Sequence, residues 1–572
     1  MKGNKKDVIR LLETIALYME IKGENPFKIA AFRKAASALE ADERSISEIE
    51  DFTAIAGIGK GTSSVIQEFL ETGASSVLEQ LKQEIPESLL VLLQLPGLGG
   101  KKIAKLYQEL GVVDIATLKE ACLSQKVRQL PGFGKKTEEK LLAAIEEIGS
   151  RPERLPLAFV LPIAEEIERQ LEKMEGIARF SRAGSLRRMK ETVKDLDFII
   201  ATNEPRLVRE QLLKLANVSG VIANGDTKVS LQLRYEHDIA VDFRLVAPEQ
   251  FVTTLHHFTG SKEHNVRMRQ LAKERGEKIS EYGVENVDTG EVKTFADEQA
   301  FFAYFHLPFI PPELREDGTE VDRYRDGYPL LRLSDIQGDL HMHSAWSDGA
   351  CSIEEMAEAC RKKGYRYMAI TDHSQYLKVA NGLTVERLRR QREEIERLNA
   401  KYDDFTILAG VEMDILPDGT LDYDDDVLEE LDFVIAAIHS SFSQPRDVIM
   451  KRLTAALRNR HVDLIAHPTG RLIGKRDGYD VDIDMLIELA RETNTALELN
   501  ANPHRLDLSY SYLKKAQDAG VKIAINTDAH HLDMLDHMRI GVITARKGWI
   551  RKETVINTWS LEELRSFLRR KR

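Results

Sequence analysis

Cysteine is nearly absent. The 572-residue chain carries three, Cys122, Cys351 and Cys360, and none belongs to a CxxC pair, so neither a zinc ribbon nor a dithiol redox motif is indicated and a reducing compartment fits. Long apolar runs are missing too. No uninterrupted stretch approaches the roughly 18 residues of a membrane span, and no membrane association is expected. The start, MKGNKKDVIR, is basic, but Asp7, Arg10 and Glu13 break up any apolar run behind it, while Val8, Leu11, Leu12 and Ile15 keep helical spacing. An amphipathic helix is expected there rather than a signal peptide, and with it a cytoplasmic protein. Bulk positive charge is also lacking: a net charge of -12 argues against coating nucleic acid by electrostatics alone, though it leaves local phosphate binding open. The length far exceeds what one hydrophobic core needs, so several domains are expected.

One short pattern recurs three times in the first 150 residues. Ile55 to Gly61 reads IAGIGKG, Leu95 to Lys101 reads LPGLGGK and Leu130 to Lys136 reads LPGFGKK, each followed by a helical pattern. A single copy would be an ordinary turn between helices. Three copies with matching flanks point to hairpins whose glycines turn the backbone tightly and present amides at a helix start, where a phosphate can sit. Lys60, Lys101 and Lys135 add positive charge. These resemble helix-hairpin-helix elements, which grip DNA backbones without reading sequence. That resemblance makes Gly57, Gly59, Lys60, Gly97, Gly99, Lys101, Gly132, Gly134 and Lys135 the candidate DNA contacts.

β-type runs come next, at Asp197 to Ala201, Val229 to Arg234 and Ile239 to Val246. Asp195 and Asp197 lie two apart in KDLDFII, and a strand's two-residue period places both carboxylates on one face. Asp242, in AVDFRLV, offers a third from a neighbouring strand. Such a trio binds hard divalent cations, and two cations can clamp the attacking and leaving oxygens of a phosphoryl transfer. A lone DxD is common and weak. Here Gly184, Ser185, Leu186, Arg187 and Arg188 precede it, a small-residue turn followed by two arginines suited to phosphate oxygens.

On AGSLRRMKETVKDLDFI, GDTKVSLQL, VDFRLV and HHFTGSKEHNVRMR, residues 1 to 317 resemble DNA polymerase beta and its family X relatives. The resemblance implies that Asp195, Asp197 and Asp242 ligate two Mg2+ or Mn2+ ions, with Asp242 also helping to activate the primer 3′-hydroxyl. It implies that Gly184, Ser185 and Arg188 bind the incoming triphosphate, that Asn265 and Arg269 touch the nascent base pair, and that Phe258 and Gly260 form the sugar-contacting turn. Two positions depart from the family. His257 replaces its usual tyrosine, which puts ribonucleotide exclusion in doubt. Val65 stands where the relatives' Schiff-base lysine lies, and a valine cannot form that imine, leaving Lys60 or another nearby lysine as the alternative amine for a lyase.

Ten of the fifteen histidines follow residue 340. From Ser334 onward the runs DLHMHS, YMAITDH, TILAGVEMDI, FVIAAIH, DLIAHP, ALELN and KIAINTDAH alternate with charged helical segments. Seven such units point to a parallel barrel with polar residues at the strands' C-terminal ends. His341, His343, Asp348, His373, Glu412, His439, His467, Asp528 and His530 all fall at those ends, whereas His461, His504, His531 and His537 do not. Mixed nitrogen and oxygen donors suit Mn2+, Zn2+ or Fe2+ better than Mg2+ alone. The set resembles the PHP (polymerase and histidinol phosphatase) family over residues 335 to 572, which implies a multinuclear site bridged by Glu412 and hydrolysis of either phosphomonoesters or DNA.

The expected fold is multidomain, α+β and α/β. A helical DNA-binding domain covers 1–90, a helix-hairpin-helix fingers-like region 91–150, a nucleotidyltransferase palm with a mixed sheet 151–246, and a thumb 247–317. A linker at 318–334, after a main boundary at Pro311-Pro312, leads to a distorted (β/α)7 barrel at 335–572. The expected activity is a gap-filling, base-excision-repair DNA polymerase with a metal-dependent 3′-5′ exonuclease and a further capacity for abasic-site cleavage. It would act as a monomer on gapped or primed DNA with deoxynucleoside triphosphates. The alternatives are a polymerase coupled to a small-molecule phosphatase, and a non-catalytic gap-binding protein with a scaffold barrel.

Overall fold

The computed structural model describes residues 5–41, 46, 49, 51–95, 97–148, 154–325 and 327–571. The chain divides into two compact units, Met1–Arg151 and Pro152–Arg572, and the junction expected at 150/151 lies outside the described residues. Among the described residues no helix is long and apolar enough to cross a membrane.

The first unit is helical. Its opening helix, Lys5–Lys22, buries Val8, Leu11, Leu12 and Ile15, the stripe that its spacing predicts, in one core that also holds Ile66, Leu92, Ile103 and Leu106. The three hairpins share one backbone device. Their first glycines, Gly57, Gly97 and Gly132, have φ of 114°, 81° and 89°, a region costly to any residue with a Cβ. Their second glycines open the following helices: Gly59 and Gly99 cap Lys60–Thr72 and Gly100–Leu110, and the Gly134 carbonyl accepts from the amides of Thr137 and Glu138 at the start of Lys135–Ile148.

The second unit begins with a five-stranded mixed sheet: β1 (Arg179–Arg182), β2 (Leu196–Ala201), β3 (Val218–Asn224), β4 (Lys228–Arg234) and β5 (Asp238–Val246), in spatial order β1-β2-β5-β4-β3. Only the β2/β5 pairing is parallel. Helices Phe251–Thr259, Lys262–Glu274 and Glu298–Tyr304 come after the sheet, their core built on Leu255, Met268, Phe301 and Phe302.

The C-terminal strands run in sequence order: β6 (Gly338–Asp339), β7 (Tyr367–Ile370), β8 (Thr406–Asp414), β9 (Phe433–Ala437), β10 (Leu464–Ile465), β11 (Ala496–Asn500) and β12 (Ile523–Asn526). All neighbouring pairs are parallel. Beyond the last strand, Met342 bridges Ala529, which brings the first edge to the last and nearly closes the barrel. Its strands are buried on both faces, as a parallel sheet flanked by helices requires.

The segment that follows Pro311-Pro312 is held by packing on both sides. Pro152–Arg572 is one compact unit, and the segment after those prolines is a strap rather than a loose connector. Arg315 is buried against Glu298, Glu320 Oε1 lies 2.6 Å from His264 Nδ1, and Arg546 reaches back to Glu313 at 2.5 Å. The charges of this segment are partners for buried groups.

Candidate active sites

In the palm, strand alternation turns Ile239, Val241, Phe243 and Leu245 into the core and leaves Asp242 and Arg244 on the opposite face. The parallel register sets Asp242 directly beside Asp197 on β2. Asp195 lies one residue before β2 rather than on it, so the two-residue period does not place it. Its charge is nonetheless felt: burial first, then Asp195 and Asp242, push Asp197 up to about 6. Crowded carboxylates of this kind favour a divalent cation. Lys228, which local sequence does not single out, approaches Asp242 Oδ2 at 2.7 Å.

The turn before β2 meets this cluster. Gly184 has φ of 60°, and a Cβ there would sit 2.2 Å from Asp197 Oδ2, so only glycine fits. Ser185 is half-buried beside it, and Arg188 Nη1 donates to the Thr259 carbonyl at 2.5 Å, next to Gly260. Of the two arginines read as suited to phosphate, Arg187 is already engaged. It forms a two-pronged pair with Glu298 and donates to Thr259 Oγ1 at 2.7 Å. Despite burial, Arg315 and Arg187 hold Glu298 down at about 2, so this pair is structural.

Phe258 lies under the Arg244 guanidinium at 4.2 Å. Asn265 Nδ2 donates to the His257 carbonyl at 2.8 Å, while its Oδ1 is buried with no hydrogen-bond partner among the described residues. Arg269 is exposed, with Nη2 3.4 Å from His257 Nδ1. Burial, then Arg269, lowers His257, which is therefore neutral at pH 7.

In the hairpins, Lys60, Lys101 and Lys135 are exposed. A Cβ at Gly59, Gly97, Gly99, Gly132 or Gly134 would meet nothing within 4 Å, whereas at Gly57 it would crowd Lys34 and Ala38 at 3.3 Å. Five of the six turn glycines thus face open space that a backbone phosphate can enter. Val65 is buried in the first-unit core.

The barrel brings all nine expected donors together. Glu412, on β8, is the hub: His341, His343 and His373 approach its Oε2 at 3.4, 3.5 and 3.0 Å, and His439 and His467 its Oε1 at 3.1 and 2.9 Å. Asp528 Oδ1 lies 3.1 Å from His343, and Asp348 Oδ1 lies 3.3 Å from His530. Three groups each gather donor atoms within 4.8 Å: His343, Asp348, His373 and His530; His341, His343 and Asp528; His373, Glu412 and His439. His467 joins through Glu412 without belonging to any of the three, and His461, His504, His531 and His537 belong to none of them.

Electrostatics agree with cation binding. Burial alone would raise Glu412, but His439, His341 and His373 hold it well below the carboxylate range. Burial, then His373 and His530, lowers His343 to about 3, so the ring is neutral and one of its nitrogens can offer a lone pair to a metal. His341 Nε2, His343 Nδ1, His373 Nδ1 and Glu412 Oε2 are buried without hydrogen-bond partners among the described residues. Convergent orphaned nitrogen and oxygen donors fit divalent metal ions. Two donors, His467 and Asp528, have left-handed φ of 27° and 54°, a strain of about 1–3 kcal/mol each that clusters at functional sites.

Outer partners escaped the sequence reading. Glu498 Oε1 lies 2.7 Å from His341 Nδ1, and its Oε2 accepts from the His467 amide at 2.7 Å. Asp414 Oδ1 lies 3.1 Å from His439 Nδ1, and Arg505 Nε lies 3.7 Å from Asp528 Oδ2. Glu498 and Asp414 hold the ring nitrogens that face away from the centre, which fixes the rings' orientation. Their signal was present, since ALELN and GVEMD end strands at the same level as the ligands.

Comparison with known proteins gives four family matches. Residues 3–75 match a helix-hairpin-helix domain, 89–147 a SAM-like helix-hairpin-helix tandem, 254–316 the DNA polymerase beta thumb, and 339–502 the PHP domain. A probable phosphatase of Thermoanaerobacter sp. (strain X514) is 29% identical over 245 residues, 41% of this chain and 95% of its own length. The DNA polymerase/3′-5′ exonuclease PolX of Bacillus subtilis (strain 168) is 66% identical over 567 residues, 99% of this chain and 100% of that protein. With that identity across its whole length, the chain belongs to the family of the DNA polymerase/3′-5′ exonuclease PolX.

Proposed function

We propose that the chain is a DNA polymerase that fills short gaps during base excision repair and a 3′-5′ exonuclease that trims primer ends. The observation that carries the first activity is Asp197 and Asp242 abreast on parallel strands with Gly184 pressed against Asp197. The convergence of five histidines on Glu412, with Asp348, Asp528 and His530 beside them, carries the second. Likeness to the Bacillus subtilis protein supports both.

Asp195, Asp197 and Asp242 would hold two Mg2+ or Mn2+ ions in the palm, and the barrel donors several Mn2+, Zn2+ or Fe2+ ions with Glu412 shared between them. When bound, such ions lower the pKa of water or hydroxyl and neutralise charge developing on phosphoryl oxygens. The chain's own residues do the rest. Gly184, Ser185 and Arg188 bind the triphosphate of the incoming nucleotide, and Asp242 orients the primer 3′-hydroxyl. Asn265 and Arg269 line the base pair. The hairpin amides with Lys60, Lys101 and Lys135 hold the DNA backbone. In the barrel, Glu498 and Asp414 keep His341 and His439 turned toward the centre. A cytoplasmic monomer acting on gapped or primed DNA completes this reading.

A second reading has one observation behind it: 41% of the chain aligns with 95% of a probable phosphatase. The test uses a one-nucleotide gap with a labelled primer and Mg2+ or Mn2+, with and without nucleotides, comparing the wild type with His341→Ala/His343→Ala. Extension with nucleotides, and shortening without them only when the histidines are intact, supports both activities. Extension without shortening, together with phosphate release from a small phosphomonoester, replaces the exonuclease by a phosphatase. Cleavage of an abasic-site duplex in the same assay tests the further endonuclease capacity.

A further inference from the structure

The barrel reaches into the nucleotide-binding segment of the palm. Its helix His537–Lys547 ends on Lys547, which is buried. Lys547 Nζ donates to the Arg188 carbonyl at 3.1 Å and meets Glu316 Oε1 at 2.5 Å. Glu316 is shared: Lys190 binds its Oε2, and Arg188 Nε stands off at 3.5 Å from its Oε1. Ser261 Oγ, donating to the Glu316 carbonyl at 2.7 Å, anchors the residue beside the Thr259-Gly260 turn. Arg188 Nε is buried and has no hydrogen-bond partner among the described residues. A second bridge fixes the same segment further on, where Arg471 of the barrel makes a two-pronged pair with Glu191 of the palm at 3.1 and 2.7 Å.

Three cations, Arg188, Lys190 and Lys547, therefore compete for one carboxylate. Arginine and carboxylate left to themselves close into a bidentate pair, and a guanidinium neutralised in that way is a poor phosphate ligand. We propose that Lys547 is a positioning residue of the polymerase site: it draws Glu316 off Arg188 and pins the Arg188 carbonyl, which keeps the guanidinium available for the incoming triphosphate. Burial lowers Lys547 to about 8, so the ammonium that this role needs is present at neutral pH. The inference rests on the reading of Arg188 as a triphosphate ligand.

The test is steady-state filling of a one-nucleotide gap by the full-length protein. Lys547→Met is expected to raise the KM for the nucleotide about tenfold with kcat within about twofold, the pattern of lost substrate binding, and to leave the exonuclease rate unchanged. Lys547→Arg restores the low KM. Adding Glu316→Gln to Lys547→Met also restores it, because the competing charge is gone; a merely structural lysine would not be rescued in this way. Lys547→Gln, which keeps a donor in the buried position, shows the same rise should methionine prevent folding. Arg188→Ala raises KM by itself, and Lys547→Met adds little to it, since the two act as one unit. An unchanged KM in Arg188→Ala overturns the reading of Arg188. A raised KM in Arg188→Ala with none in Lys547→Met, or no rescue by Glu316→Gln, overturns the role of Lys547 and leaves the site reading intact.

Discussion

On the proposed reading, the palm and the barrel would bind cations by opposite means. The palm sets Asp195, Asp197 and Asp242 at a half-exposed sheet face, all oxygen and all of one charge. The barrel buries His341, His343 and Glu412 completely and surrounds one hub carboxylate with imidazoles. An open carboxylate face suits ions that arrive and leave with a nucleotide. A buried nitrogen-rich cage suits ions that stay. The difference teaches that donor type and burial alone would suffice to keep a labile and a resident metal centre apart in one chain.

The comparison predicts separable losses. Asp197→Ala should reduce nucleotide addition by more than about 100-fold, since changes in outer partners alone cost about 10–100-fold, and should leave primer trimming intact. His343→Ala, which removes a donor from two of the three groups, should do the reverse, with metal content falling in the isolated protein. Loss of both activities in either variant would break the separation. Brief chelation followed by desalting should abolish extension until Mg2+ is returned, while trimming persists; equal sensitivity would show that burial does not retain the barrel ions. Glu498→Gln sharpens the barrel side. It keeps the shape but weakens the hold on His341, so trimming should fall about 10–100-fold with extension unchanged.

The smallest effect is on stability. Asp197 is raised to about 6 by burial and like charge. Its folded-state pKa lies above the unfolded value, so the penalty is fully present above about pH 6 and fades as pH falls from there toward the unfolded value. Asp197→Asn should therefore raise the melting temperature of the metal-free protein by about 2–4 °C at pH 8, the shift produced by roughly 1 kcal/mol in a domain of this size, and by less at pH 5. An equal rise at both would mean that the carboxylates are not crowded.

Much was legible beforehand where local rules operate. The helix Lys5–Lys22, the glycines of the three hairpins and the seven barrel runs announced themselves through period and repetition, because side-chain direction follows from helix and strand geometry. The barrel candidates were legible for the same reason, since all but Asp348, in the following loop, sit at or just beyond strand ends. Nothing local distinguishes Arg187 from Arg188; only tertiary structure shows that Glu298, 111 residues away, pairs with Arg187.

The sequence by itself singled out the candidate residues for the chemistry: the carboxylate trio, the histidine set and the hairpin glycines. Composition, spacing and strand period are properties of neighbours along the chain. Tertiary structure alone decided how those residues are held. Glu498 behind His341, Glu320 behind His264 and Lys547 behind Arg188 are pairs separated by 157, 56 and 359 residues, brought together only when buried charge had to find a partner.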